Sequence, residues 1–194
     1  SGSSIATTGI NKISGGLELI GSTTLGALNS QTGVLNIGVH QLELSGSALS
    51  TITGTVKGSG TIKTSGTGNL TWNPTTSTDF TGGLEVTAGT ITLGASKSVG
   101  SVVSSSTLAL GANTLTLSGA NSSTLGGSVT GSGSIAITGG QEVTWDATGY
   151  TGIVALTSGS LSGAGTKFTG ARFTAAVGQA VTMTGTGAIG TGAI

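Results

Sequence analysis

Few side chains in this 194-residue chain can do acid–base, nucleophilic or metal chemistry. There is one histidine, His40, six acids (Glu18, Glu43, Asp79, Glu85, Glu142 and Asp146), six bases and no cysteine. A single imidazole excludes a histidine-based catalytic pair or a multi-histidine metal site within one chain. The absence of thiols excludes disulfides and cysteine nucleophiles. Glycoside hydrolysis needs two carboxylates facing one cleft, about 5–10 Å apart. Glu142 and Asp146, four apart around Trp145, come nearest to that requirement. Their counterparts in an earlier copy of the internal repeat described below are Asn69 and Asn73, so the pair is no property of the repeating unit. His40 corresponds to Asn113 and reads as a solvated turn residue. The expectation is a non-enzyme with no catalytic, cofactor or metal site.

Binding is the other chemistry to weigh. Trp145 and Tyr150, with Asp146 beside them, are the candidate contacts for a glycan, as a flat aromatic stripe with a hydrogen-bonding carboxylate. Trp72 and Phe80 are their repeat partners. The competing reading is a core position, because Trp72 has the inward phase set by Leu70. Thr-x-Thr pairs at Thr51 and Thr53, Thr90 and Thr92, Thr114 and Thr116, and Thr182 and Thr184 raise an ice-binding array. On spacing, only the pairs at 90 and 114 stand one turn apart. Calcium-binding solenoid motifs of the Gly-Gly-x-Gly-x-Asp type are absent. Asn69-Leu70-Thr71 and Asn121-Ser122-Ser123 fit the glycosylation acceptor pattern.

The elements that must carry these residues follow from composition. Gly, Thr and Ser make up just over half of the chain. Gly costs roughly 1 kcal/mol per residue in a helix interior, and Ser and Thr compete for backbone hydrogen bonds, so no long helix is sustainable. Disorder normally accompanies low hydrophobicity and high net charge. Here charged residues are 6% of the chain and balance to zero, and the mean hydropathy is +0.34. A thin, regular β core is expected instead. The six cations are scattered, which argues against nucleic acid and anionic membrane surfaces as partners. No apolar run is long enough for a membrane-spanning helix. The chain opens on Ser1 and Gly2 with no basic and apolar leader, which reads as a mature product or an excised segment.

An internal repeat dominates the sequence. Leu35-Asn36-Ile37-Gly38 and Leu42-Glu43-Leu44-Ser45-Gly46 return 73 residues later as Leu108-Ala109-Leu110-Gly111 and Leu115-Thr116-Leu117-Ser118-Gly119. The same offset carries Gly58-Ser59-Gly60 onto Gly131-Ser132-Gly133, and Leu70-Thr71-Trp72 onto Val143-Thr144-Trp145. After a three-residue deletion, Phe80-Thr81-Gly82 matches Tyr150-Thr151-Gly152. Ile13 to Leu19 repeats as Phe80 to Val86, and Val181 to Gly185 echoes Leu115 to Gly119. The unit is about 67–73 residues. The copies fall at approximately 1–53 (partial), 54–126 and 127–194, within a single domain spanning 1–194.

Each unit alternates apolar and small polar residues over three to five positions and closes on Gly or Asn, the signature of short strands. Strand starts near 42, 62, 84, 108, 135, 153 and 173 lie 18–27 residues apart, about one turn of a β-solenoid, with three turns to a unit. Gly-rich bends rather than two-residue hairpin links separate the strands, which favours a parallel coil over a sandwich. Roughly nine turns at about 4.8 Å give a rod about 40 Å long. Pro74 marks the 73–79 stretch as the place where a turn bulges outward.

Asp79-Phe80-Thr81-Gly82-Gly83-Leu84-Glu85-Val86-Thr87-Ala88-Gly89-Thr90-Ile91-Thr92-Leu93-Gly94 resembles the autotransporter-associated β-strand repeat of large exported bacterial surface proteins. The Gly-Ser-Gly elements at 58–60 and 131–133 sit where that family carries a similar Gly-rich element. The resemblance covers roughly 54–100 and 127–165 well and the remainder weakly. It implies a right-handed parallel β-helix, secreted by a bacterium and placed outside the cell or on its surface, in an adhesive, passenger or structural role. The family's membrane barrel is not in this sequence.

The ends sharpen that reading. A solenoid exposes unpaired strands at its first and last turns, and soluble ones cover them with a polar cap. Residues 1–14 and 185–194 are as rich in Gly, Thr, Ile and Ala as the middle. The expectation is head-to-tail stacking of copies into a fibre through Ile5, Ile10, Ile13, Ile189 and Ile194, an open contact that does not close. The partner is then a second copy of the chain, with environmental or host glycans as the alternative ligand.

Overall fold

A computed structural model describes residues 10–13, 15–30, 32–77, 79–168 and 170–185. Ile5, Ile189 and Ile194, and the side chains of Ile10 and Ile13, lie outside the described residues. Within them the chain is all-β, with one 3-10 turn at Gly165–Lys167 and no other helix. Every strand pairing is parallel. Parallel partners need a crossover between them, and here the crossover is the remainder of a coil.

The coil has three faces. The first holds the strands Ile10–Ile13, Ala27–Ser30, Ser50–Ile52, Leu70–Trp72, Thr90–Leu93, Thr107–Gly111 and Ser128–Gly131. The third holds nine, from Thr23–Leu25 to Ala180–Thr184. The middle face is divided into Leu17–Glu18, Val34–Asn36 and Thr55–Lys57 on one side and five strands from Lys97–Val99 to Arg172–Ala175 on the other. The nine-stranded face contains eight rung-to-rung steps, so the solenoid makes about eight turns rather than nine.

One turn takes 17–22 residues. Leu42 pairs with Ile62, Ile62 with Leu84, and Leu84 with Val102. The 22-residue step from Ile62 to Leu84 contains the Pro74 stretch, where the middle face has no regular strand although Pro74 and Phe80 are buried. Between the two halves of that face, among the described residues, only the isolated bridges Thr55 with Thr76 and Gly58 with Phe80 extend the ladder. Proline has no backbone N–H to donate to a ladder, and the interruption falls beside Pro74.

Because side chains alternate across a strand, every rung sends one apolar set inward. Ser50, Leu70, Ile91, Leu108 and Val129 stack on the first face. Leu115, Ile135, Val154 and Phe173 stack on the middle face. Their apolar members are all buried. A parallel register error of one residue turns a whole set outward, so the columns fix the alignment of coil on coil. Three ion pairs support it: Lys57 with Asp79 at 3.1 Å, Lys63 with Glu85 at 3.3 Å and Lys167 with Asp146 at 3.1 Å, each joining adjacent coils.

The 73-residue repeat does not return to the face it left. Leu35 belongs to the middle face and Leu108 to the first; Leu70 belongs to the first and Val143 to the third. Eleven strand segments separate equivalent positions, at three segments per turn, so a unit spans about three and two-thirds turns instead of three. This also accounts for the 24- and 27-residue spacings read from the sequence. The steps from 84 to 108 and from 108 to 135 each cross one face more than a full turn.

Local geometry nevertheless repeats. Gly58 and Gly131 adopt φ of 112° and 111°, in the region that a Cβ disfavours. Gly60 and Gly133 pass so close to the preceding coil that a Cβ would overlap the carbonyl oxygens of His40 and Asn113. Gly133→Ala is therefore expected to lower stability by about 1–3 kcal/mol or more, the range for overpacking, measured as a fall in urea midpoint; an unchanged midpoint contradicts the close approach.

Candidate functional site

The structure disperses the acids instead of gathering them. Glu142 and Asp146 both point outward and both are exposed. They lie at and just beyond the two ends of the strand Glu142–Trp145. Four residues along an extended chain span about 13 Å, beyond the separation that either glycosidase geometry uses. Asp146 is engaged by the Lys167 ammonium, which also donates to the Asp146 carbonyl at 3.4 Å. Glu18 accepts from the Asn36 carboxamide and Glu43 from the Thr24 hydroxyl, each at 3.4 Å across adjacent coils. His40 is half-buried in the turn after Ile37, its N–H on the Ile37 carbonyl at 2.9 Å. No cluster of three or more metal-ligating side chains occurs among the described residues.

The aromatic residues lie inside. Trp72 is 0% exposed, and Trp145 and Tyr150 are 1% exposed. Trp72 packs on Phe80 with ring centroids 5.4 Å apart and planes at 54°; Trp145 packs on Tyr150 at 5.8 Å and 50°. The same plug is thus built twice, at two different corners of the coil. Phe173 meets Trp145 edge-on at 5.5 Å and Phe168 at 4.7 Å, so the later plug is larger. Of the three candidate glycan contacts, Asp146 alone remains at the surface.

The two plugs differ in their polar atoms. Trp145 Nε1 donates to the Lys167 carbonyl at 2.8 Å, whereas Trp72 Nε1 is buried without a hydrogen-bond partner. Tyr150 replaces Phe80 and donates its hydroxyl to the Gly133 carbonyl at 2.8 Å. Burial pushes that hydroxyl from its ordinary pKa near 10 up to about 12.

The Thr-x-Thr pairs do not form one array. Thr90–Leu93 belongs to the first face and Thr114–Leu117 to the middle face, so the pairs at 90 and 114 are not stacked. Thr92 instead aligns with Thr71 below and Ala109 above. Hydroxyl rows run on all three faces: Thr51, Thr71 and Thr92 on the first, Ser98 and Thr116 on the middle, and Thr124, Thr144, Ser162 and Thr182 on the third. No single face is set apart by them. Of the glycosylation acceptor patterns, Asn69 and Asn121 are exposed, while the Ser123 hydroxyl of the second is buried.

Sequence reasoning missed Gln141. Its side chain is 1% exposed; Nε2 donates to the carbonyls of Gly100 at 3.1 Å and Gly119 at 3.2 Å, and Oε1 accepts from the Ser123 hydroxyl. Ser123 Oγ in turn accepts from the Val102 N–H at 3.0 Å. One carboxamide thereby clips three consecutive coils with its polar atoms satisfied, the condition under which a buried network stabilises. The available signal was a break in the repeat, since the counterpart of Gln141 is Gly68. Ser50, the counterpart of Ser123, keeps the simpler half of the arrangement and accepts from the Leu28 N–H at 3.1 Å.

Comparison with protein-family models, curated proteins and solved structures gives no match. The resemblance to the autotransporter-associated repeat therefore rests on the residues quoted for it.

Two outcomes test this reading of the interior. Gln141→Leu leaves the Gly119 carbonyl without its donor and the Ser123 O–H without its acceptor, while the Gly100 carbonyl keeps the Gly119 N–H; it is expected to cost about 1–3 kcal/mol, the penalty for an unmet buried polar group, in urea unfolding, and Gln141→Glu gives no rescue. For Tyr150 the raised pKa means that the folded state disfavours the phenolate. Its contribution is complete below pH 10 and is lost as the pH rises from 10 towards 12. Tyr150→Phe is expected to be about 1 kcal/mol less stable at neutral pH and to lose less stability than the parent across that alkaline window; parallel pH profiles contradict the assignment.

Proposed function

We propose that the chain is a non-enzymatic rod segment of an extracellular or cell-surface protein, structural or adhesive in role, whose ends join head to tail with further copies. The observation that carries this reading is the open rung at the C-terminal side of the third face. In that inward column Val143 is 0% exposed and Leu161 1%, but Val181 rises to 38%. Among the described residues the strand Ala180–Thr184 is the last of its sheet and Thr23–Leu25 the first. Thr23 and Val181 stand in the same inward column, as do Leu25 and Met183. A second copy set on the open rung with Thr23–Leu25 against Ala180–Thr184 therefore continues both columns without a phase change, and supplies the edge strand with the pairing that an unpaired edge seeks.

The surface chemistry supports a role based on shape more than on charge. Hydroxyl rows cover every face, Lys57, Lys63 and Lys167 stand in pairs with acids, and among the described residues no helix is long and apolar enough to cross a membrane. The exported surface-protein repeat that the sequence resembles supports the extracellular location and the bacterial source. The right-handed coil which that resemblance implies accords with the general handedness of parallel crossovers.

Light scattering and negative-stain microscopy test the assembly. Concentration-dependent rods of uniform width are expected, and Val181→Lys, which sets a charge into the contact, is expected to shift the population to single rods while leaving the circular dichroism spectrum unchanged. A monodisperse monomer at every concentration and salt overturns the proposal.

A further inference from the structure

Each strand of the third face is entered through a short link from the middle face, and these links stack along one corner of the coil. In the inner coils the links 58–60, 81–82, 100, 118–122, 138–141 and 157–159 hold only Gly, Ser, Thr, Ala and Asn, apart from the buried Gln141. The first two links and the last differ. Ile20 stands in the link 19–22, Val39 in 37–40 and Val177 in 176–179. They are 96%, 77% and 103% exposed, the three most exposed large apolar side chains among the described residues.

Single exposed apolar residues need no explanation. Confinement to one corner, in the first and last coils, does. Ile20 and Val39 each precede by three residues the aligned pair Thr23 and Leu42, so they are stacked neighbours on adjacent coils. Val177 precedes Val181 by four. In the head-to-tail joint Val181 of one copy faces Thr23 of the next, which brings Val177 beneath Ile20 of the next copy, within one residue of register. With about 4.8 Å between rungs and about 3.3 Å per residue along a strand, their Cα atoms stand about 5–6 Å apart. The corner then continues across the joint as Val177, Ile20 and Val39.

An open rung alone does not fix how the next copy is turned. All three faces are parallel ladders with apolar residues inward and hydroxyls outward, so a copy rotated by a third of a revolution also offers strands to pair with. We propose that Val177 packing on Ile20 of the next copy, with Val39 beyond it, selects one rotational setting, the one that runs the middle-to-third corner unbroken through the joint. A rotated copy parts Val177 from Ile20 and leaves both in water. The proposal rests on the head-to-tail reading above and adds to it the orientation of the partner copy.

The chain has no cysteine, so engineered thiols are the only ones present, and disulfides bridge Cα separations of about 4.4–6.8 Å. Rods of the double variant Ile20→Cys with Val177→Cys are expected to give, on oxidation, a ladder of covalent multimers on a gel that reductant abolishes. Each single variant, with one thiol per copy, stops at the dimer. The pair Leu49→Cys with Val177→Cys gives no ladder, because Leu49 is exposed at a different corner, at the entry to Ser50–Ile52. Ile20→Ser with Val177→Ser is expected to raise the concentration of half-assembly at least about tenfold without moving the urea midpoint of single rods. Rods of the first pair without a ladder, an equal ladder from the Leu49 pair, or an unmoved assembly concentration overturns the orientation and leaves the head-to-tail reading standing. If the parent forms no rods at any concentration, both fall.

Discussion

Everything in this molecule depends on parallel pairing between a strand and the strand one coil away. With interior side chains this small and this similar, no single residue carries the core. Stability comes from columns in which each Leu, Ile or Val touches the equivalent residue above and below, at the spacing of the hydrogen-bonded ladder. The same pairing satisfies the backbone of the bends: Gly58 and Gly60, for example, donate to Asp79 and Gly38 in the neighbouring coils. Glycine is required where two coils come closest, and hydroxyl residues serve where a side chain must return a hydrogen bond to the coil beside it, as Thr157 does to Ile137 at 2.9 Å.

A ladder of near-identical rungs has a weakness, because a slipped register costs little unless something marks the correct one. The ion pairs, the two aromatic plugs and the Gln141 clip supply those marks. Exposed ion pairs contribute little to net stability, about 0–1 kcal/mol each, yet a displaced rung separates the partners and opposes their charges to hydroxyls or to like charge. The plugs act by volume, since a tryptophan column position admits no second large ring in the adjacent rung; above Trp145 stands Gly163.

The alternation of apolar and small residues made the strands, their inward phases and the parallel coil legible from the sequence, as Leu42, Ile62 and Leu84 illustrate. Which strand belongs to which face was not legible. The three faces are chemically alike, so a match such as Leu35 with Leu108 carries no label for the side of the coil on which it falls. The same degeneracy made the threonine pairs at 90 and 114 look stacked and let Glu142 and Asp146 look adjacent. Four residues make one helical turn but a long step along a strand. The phase of Leu70 correctly indicated a buried Trp72. The difference between Trp72 and Trp145 in hydrogen bonding was beyond reach, because it depends on the carbonyl of Lys167 in the next coil and not on any neighbour in sequence. Gln141 showed itself only as a departure from the repeat.

The offset between the repeat and the coil bears on mechanics. A filament whose stiff inserts all lie along one flank bends easily in one plane and resists in another. Here the two bulky ring clusters stand a third of a revolution apart, so they brace different flanks of the coil. That distribution follows from an arithmetic mismatch between unit length and coil circumference, and it needs no special residue on the outside of the coil.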